Sequence, residues 1–172
     1  EVAEEKLSVE EAEKKALEFL NLKGFTSMKK TYYIKEGGII TINYAYEQDD
    51  VIIYPDLIKV KVALDNGDIL GVENTGYLNN HETRNVDKSN IISKEEVIKL
   101  ANENLKIEET RLAIIPTEFE TEVFCWELKG TVENRRFLLY VNAKTGKVED
   151  ILVIIKTEKG IDLFCDILFL YW

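Results

Sequence analysis

At 172 residues and 45% hydrophobic content, the chain has enough apolar side chains for one sizeable core or two small ones, which excludes a disordered chain. Its 32 Asp and Glu against 22 Lys and Arg give a net charge of −10, which repels phosphate backbones and anionic headgroups and argues against nucleic-acid or direct membrane-surface binding. The start at Glu1 carries no signal-peptide pattern, and the expectation is a piece of a longer protein whose anchor or export signal lies outside it.

Ser8 and Glu11 have capping-box spacing, and Val9, Ala12, Ala16, Leu17 and Leu20 form one apolar stripe, so a helix is predicted over 9–22 with Gly24 ending it. Residues 31–35 read as strand up to the Gly37-Gly38 turn. Ile40, Ile42, Tyr44 and Tyr46 then alternate with smaller or polar residues, as in a half-buried strand. Asp49-Asp50 reads as a charged turn. Ile58, Val60, Val62 and Leu64 alternate again, and Asp65-Asn66-Gly67-Asp68 turns the chain into a strand over 69–72. The next stretch, 76–90, is polar and aperiodic, and reads as an inter-repeat linker or as an ordered loop with a function. Ser93 and Glu96 form a second capping box ahead of a stripe of Val97, Ile98, Ala101 and Leu105, followed by strands over 111–115, 122–129, 136–141 and 148–155. Pro55 and Pro116 imply an edge or a break. The apolar tail, interrupted by Asp162 and Asp166, is too short to span a bilayer and reads as packing on the second sheet or as a contact patch.

The same order of features occurs twice. Ser93 follows Ser8 by 85 residues and Gly146 of the second closing hairpin follows Gly67 by 79. The predicted class is α+β: two tandem units, each a helix packed on an antiparallel sheet of about four strands. The expected bounds are 7–75 and 92–157, with an inter-repeat segment over 76–91 and the tail over 158–172. Repeats of this kind usually present a surface, which points to binding.

Reactive chemistry is sparse. His81-Glu82-Thr83-Arg84-Asn85 begins like a zinc-protease helix, but Asn85 stands where the second histidine belongs and the chain has no other His. No nucleophile elbow or phosphate loop occurs. Asp65-Asn66-Gly67-Asp68 lacks the spacing of a calcium loop. Acidic pairs of the kind glycosidases use are plentiful, yet nothing selects one. No metal, cofactor or catalytic residue is predicted. Cys125 and Cys165 make no disulfide framework, and their pairing is left open. Tyr32, Tyr33, Tyr44, Tyr46 and Tyr54 read as half-buried strand residues or as an aromatic contact surface. The segment richest in amphipathic and hydrogen-bonding groups holds Tyr77, Asn79, Asn80, His81 and Arg84, the candidate partner-binding residues. The competing reading makes them the junction between units, with Tyr77 packed inside.

Two runs carry a family resemblance. Val-Lys-Val-Ala-Leu-Asp-Asn-Gly-Asp-Ile-Leu-Gly-Val-Glu (60–73) and Leu-Leu-Tyr-Val-Asn-Ala-Lys-Thr-Gly-Lys-Val-Glu (138–149) resemble the closing hairpin of the PepSY domain. Pro55-Asp56-Leu57 leading through that hairpin into Gly76-Tyr77-Leu78-Asn79-Asn80-His81 is similar to the C-terminal region of the YpeB family of spore-germination proteins, over about residues 5–157. Cys165 to Trp172 depart from it. The resemblance implies no catalysis and an extracytoplasmic location at the spore inner membrane or cortex, through an N-terminal anchor absent from this chain. It implies a partnership with a SleB-like cortex-lytic enzyme, each protein needed for the other's accumulation and the hydrolase restrained until germination, with peptidoglycan nearby. It brings no set of active residues. The runner-up readings are a generic PepSY-type inhibitor of an extracytoplasmic protease and a wall-ligand-binding or hydrolytic domain.

Overall fold

The structure, a computed structural model, describes residues 4–101, 103–119, 121–133, 135–157 and 160–164. In chain order the elements are α1 (Val9–Leu22), β1 (Met28–Glu36), β2 (Ile39–Gln48), β3 (Val51–Ala63), β4 (Ile69–Glu73), α2 (Thr75–Asn80) and α3 (Lys94–Leu100), then β5 (Lys106–Pro116), β6 (Glu122–Val132), β7 (Arg135–Asn142), β8 (Val148–Thr157) and β9 (Gly160–Phe164). Two compact units result, one from residues 4–48 with Pro55–Glu82, the other from Asp49–Tyr54 with Thr83–Ile155. The mixed class of small helices on sheets is the one expected.

In the first unit, Ser8 accepts from the Glu11 amide while Glu11 accepts from that of Ser8, so both orphan donors at the start of α1 are satisfied. The helix lays Ala12, Ala16 and Leu20 on a sheet of order β1-β2-β3-β4. It meets Ile40, Ile42 and Tyr44 of β2 and Ile58, Val60 and Val62 of β3 there. Burying each large aliphatic side chain contributes about 2 kcal/mol, which an isolated 14-residue helix lacks. Leu17, expected in the stripe, is 37% exposed, so the buried face is narrower than the sequence pattern. Gly37 and Gly38 turn β1 into β2 with φ of 57° and 75°, the left-handed pair a tight hairpin requires.

The second unit repeats this plan. β5-β6-β7-β8 follow in sequence order with antiparallel neighbours, and Val97 of α3 packs on Leu128, Leu139 and Val141. The repeat extends to single hydrogen bonds. Leu7 N–H donates to Leu64 O at 2.9 Å and Ile92 N–H to Ala143 O at 2.8 Å, with the donors 85 and the acceptors 79 residues apart, the offsets of the capping serines and hairpin glycines. One parallel ladder was not foreseen: residues 51–53 of β3 pair with residues 112–114 of β5, inside the second unit.

One expectation needs correction. The second helix does not carry its stripe through Leu105: α3 stops at Leu100, and Ala101 has extended backbone at φ −70°, ψ 155°. By Lys106 the chain already pairs with Thr131 of β6, and Gly130 admits that approach, since an added Cβ there would stand 2.6 Å from Lys106 O and 3.0 Å from Leu105 Cδ1. Leu105 thus packs against the core from the residue just before β5, outside the helix. Of the two readings of Pro55, the edge holds and the break does not. It sits inside β3 with β2 as one neighbour, and on the other side the β4 ladder starts only at Lys59 and the β5 ladder ends at Ile53, so that edge of β3 carries no ladder beside Pro55. Of the tail, Gly160–Phe164 forms β9, while Cys165 to Trp172 lie outside the described residues.

Candidate partner-binding surface

The gap beside Pro55 is filled by α2. Gly76 approaches so closely that a Cβ there would lie 3.2 Å from both Pro55 O and Leu57 O. The Asn80 amide then donates to Pro55 O at 3.2 Å and to Gly76 O at 2.9 Å, satisfying a carbonyl that β3 leaves without a ladder partner. This seating fixes α2 although none of its residues is buried. It also places His81, the C-cap residue, so that Nδ1 meets Asp56 Oδ2 at 2.6 Å, with the Asp56 side chain fully buried and that of His81 32% exposed.

His81 stacks on Tyr77 with centroids 4.2 Å apart, and Tyr46 meets the His81 ring edge-on at 4.7 Å. Phe25 meets Tyr77 edge-on at 5.1 Å. Edge-to-face pairs contribute about 0.5–1.5 kcal/mol each beyond burial, so four rings from β2, α2 and the loops after α1 and α2 form one stiff shelf. Burial first, then Asp56 and Tyr46, raises the Tyr77 hydroxyl above its ordinary value, keeping it a neutral donor. Among the exposed aliphatic side chains of the unit, the two most exposed are Leu22 at the end of α1 at 86% and Leu78 on α2 at 67%.

Of the five candidate residues, the structure brings together Tyr77, Asn80 and His81. Asn79 faces solvent on the same short helix. Arg84 belongs to the other unit: it is 9% exposed, and its guanidinium donates to Glu122 through Nε at 2.8 Å and Nη2 at 2.7 Å. That bidentate pair with β6 engages Arg84 within its own unit. Phe25 and Asp56 were missed, while Tyr46 is among the tyrosines read as strand or contact-surface residues. The signal for Asp56 was an acidic residue inside the apolar run 51–58.

A second polar cluster lies in the other unit, around Glu127, which is 2% exposed. Its Oε2 accepts from the Tyr54 and Tyr140 hydroxyls, the latter at 2.8 Å, and its Oε1 from Arg111 Nε at 2.6 Å. Arg111 Nη2 also donates to Tyr54 Oη at 3.1 Å. Burial, then the Glu127 charge, pushes both phenols well above their ordinary range, so they stay neutral donors. Each group has its partner, which makes this a structural lock. Cys125 on the same strand is buried, and burial followed by Glu149 and Asp150 raises its thiol to about 12, far from reactive. Among the described residues, no three His, Cys, Asp or Glu converge to hold a metal.

Comparison with known proteins places this geometry. The family model described as "YpeB sporulation, PepSY1 and PepSY2 domains" matches residues 1–87, and that described as "Peptidase propeptide and YPEB domain" matches residues 91–152. Sporulation protein YpeB of Bacillus subtilis (strain 168) is 36% identical over 156 residues, covering 88% of this chain and 34% of that protein. Its namesake from Halalkalibacterium halodurans is 34% identical over 150 residues, covering 87% and 33%. The chain thus spans about a third of the length of the curated relatives it matches. Among solved structures, the Bacillus megaterium YpeB C-terminal domain superposes with a TM-score of 0.81 at 31% identity, covering 88% of this chain and 67% of that one.

Proposed function

The chain belongs to the YpeB family of sporulation proteins, and on that premise we propose that it is a non-enzymatic binding module that stabilises and restrains a SleB-like cortex-lytic hydrolase in the dormant spore. The observation that carries this reading is the aromatic shelf of Phe25, Tyr46, Tyr77 and His81, stiffened from below by Asp56 and Asn80. Amphipathic rings held in place before binding lose little entropy on complex formation and are enriched where interface energy concentrates. Leu78 and Asn79 lie on the open side of α2 and supply apolar and hydrogen-bonding contacts.

The remaining polar groups support binding over turnover. Arg84, Arg111 and Glu127 are engaged in ion pairs within the fold, and His81 in its contact with Asp56. The net charge of −10 serves long-range steering of a partner, with little share of the contact energy. The protein works on the extracytoplasmic side of the spore inner membrane, close to the cortex peptidoglycan. Its membrane attachment comes from a segment upstream of the described units. Among the described residues no helix is long and apolar enough to cross a membrane.

The test is a titration of the chain against a purified SleB-like hydrolase, read by calorimetry and by release of soluble fragments from cortex peptidoglycan. Complex formation with slowed release supports the proposal. Release of fragments by the chain alone replaces it with the enzymatic reading.

A further inference from the structure

We propose that the tip of the β5–β6 hairpin is a docking site for a protein segment that presents a lysine or arginine beside an apolar residue. Phe119 at that tip is 83% exposed, while every other Phe, Tyr or Trp whose burial is described is buried or half-buried. It is held in that position. Thr117 N–H donates to Thr121 O at 2.8 Å, the two threonine hydroxyls meet at 2.6 Å, and the Phe119 amide donates to Thr117 Oγ1 at 3.3 Å. A loop fixed this way presents its ring at low entropic cost, which is what a contact residue needs.

Beside Phe119 lies a cavity of about 240 Å³. Ile115, Pro116, Val123 and Phe119 supply its apolar walls, and Glu118 and Glu149 its carboxylates. The volume falls below the roughly 300–1,000 Å³ of small-molecule sites, so it fits one long side chain better than a cofactor. Charge selects which. From Ala113 to Leu128 the sequence contains Glu118, Glu120, Glu122 and Glu127 and no Lys or Arg. Glu122 is taken by Arg84 and Glu127 by Arg111, whereas Glu118 and Glu149 enter no ion pair among the described residues, Glu149 accepting only from the Asn142 amide at 2.8 Å. A lysine or arginine satisfies both demands at once. Its methylene stem lies on Ile115, Pro116 and Val123, its cation reaches the carboxylates, and Phe119 covers it with a ring face. A neighbouring apolar residue completes the contact against the ring.

The site lies in the second unit, and the inference stands whether or not the partner is a hydrolase. The probe is the pentapeptide acetyl-Gly-Lys-Leu-Lys-Gly-amide, titrated into the isotope-labelled chain at near-physiological salt and followed by amide chemical shifts, with a Lys-to-Gln peptide in parallel. Saturable shifts confined to residues around 115–123 and 149 are expected, and the Gln peptide should bind about tenfold more weakly. Phe119→Ala and Glu149→Gln should each weaken binding about tenfold, while Glu36→Gln, an exposed acidic residue of the first unit, should change it less than about twofold. Both site residues are exposed, so the variants keep the fold, and the unbound spectra verify this. Shifts spread over the acidic surface, equal binding of the Gln peptide, equal binding by Phe119→Ala, or no saturable shift overturn the proposal. The localisation in the unmodified chain needs no variant at all.

Discussion

Replacing Glu127 by leucine removes the acceptor on which three donors of the second unit converge, and the structure sets the size of the loss. The Tyr54 and Tyr140 hydroxyls, on residues 6% and 1% exposed, would each be left buried without their carboxylate partner. An unsatisfied buried hydroxyl costs about 1–3 kcal/mol, and breaking a buried ion pair from one side about 3–5 kcal/mol. Arg111 sits at the mild end, because its side chain is 24% exposed and Glu109 stands 3.8 Å from its Nη1 as an alternative acceptor. These terms overlap on one carboxylate, so the expected loss for Glu127→Leu is about 4 kcal/mol. Glu127→Gln keeps a carbonyl oxygen for the two phenols and should lose about 2 kcal/mol. The assay is urea unfolding in a Trp172→Phe background, where Trp126, whose indole donates to Ile92 O at 2.9 Å, reports the second unit. A midpoint for Glu127→Leu within about 0.5 kcal/mol of the parent would refute the view that this cluster locks the unit.

Arg84→Ala should cost about 1–2 kcal/mol, since it deletes a nearly buried guanidinium with its bidentate pair, while the more exposed Glu122 left behind regains water, and thermal unfolding measures it. Partner affinity should be unchanged by that substitution, whereas Leu78→Glu and Asn79→Ala should keep the melting temperature and weaken partner binding in calorimetry. Acid should destabilise the fold in a defined window. Hydrogen bonds from the Ser89 side chain and amide, then Lys144, hold Asp87 down to about 2, and the Ser8 and Ser93 caps hold Glu11 and Glu96 below their ordinary value. A depressed carboxyl contributes stability above its unfolded value, about 4 for these groups, and loses it as pH falls through the folded value. Calorimetric scans should therefore show the melting temperature dropping between about pH 4 and pH 2, with a smaller drop in Ser89→Ala.

What could be read from the sequence was whatever short-range chemistry decides. Ser8 with Glu11, and Ser93 with Glu96, need only a spacing of three, and both boxes form as read. Gly37-Gly38 and Gly67 turn where left-handed backbone was required. The family resemblance rested on such local runs and is shown by the matched family models. Long-range decisions were not legible. After α3 the chain is drawn into β5 by pairing of Lys106 with Thr131 of β6, far along the sequence, and the first residues of β3 find their parallel partner in β5. α2 has no apolar stripe, and forms because Asn80 and Gly76 cover backbone that β3 leaves beside Pro55. For the same reason the candidate site was legible only in part. Tyr77, Asn80 and His81 are neighbours along one helix, while Asp56, Tyr46 and Phe25 join them across at least 25 residues of chain.

Under the proposed function, this chain binds and restrains a cortex-lytic hydrolase without catalysing anything itself. The most direct measurement follows release of soluble fragments from purified cortex peptidoglycan by a SleB-like hydrolase, with and without an equimolar amount of the chain, beside the chain alone. The account predicts no release by the chain alone and slower release when both are present, with the slowing lost in Leu78→Glu at unchanged melting temperature. Unslowed release in the presence of the chain, or release by the chain alone, would contradict it.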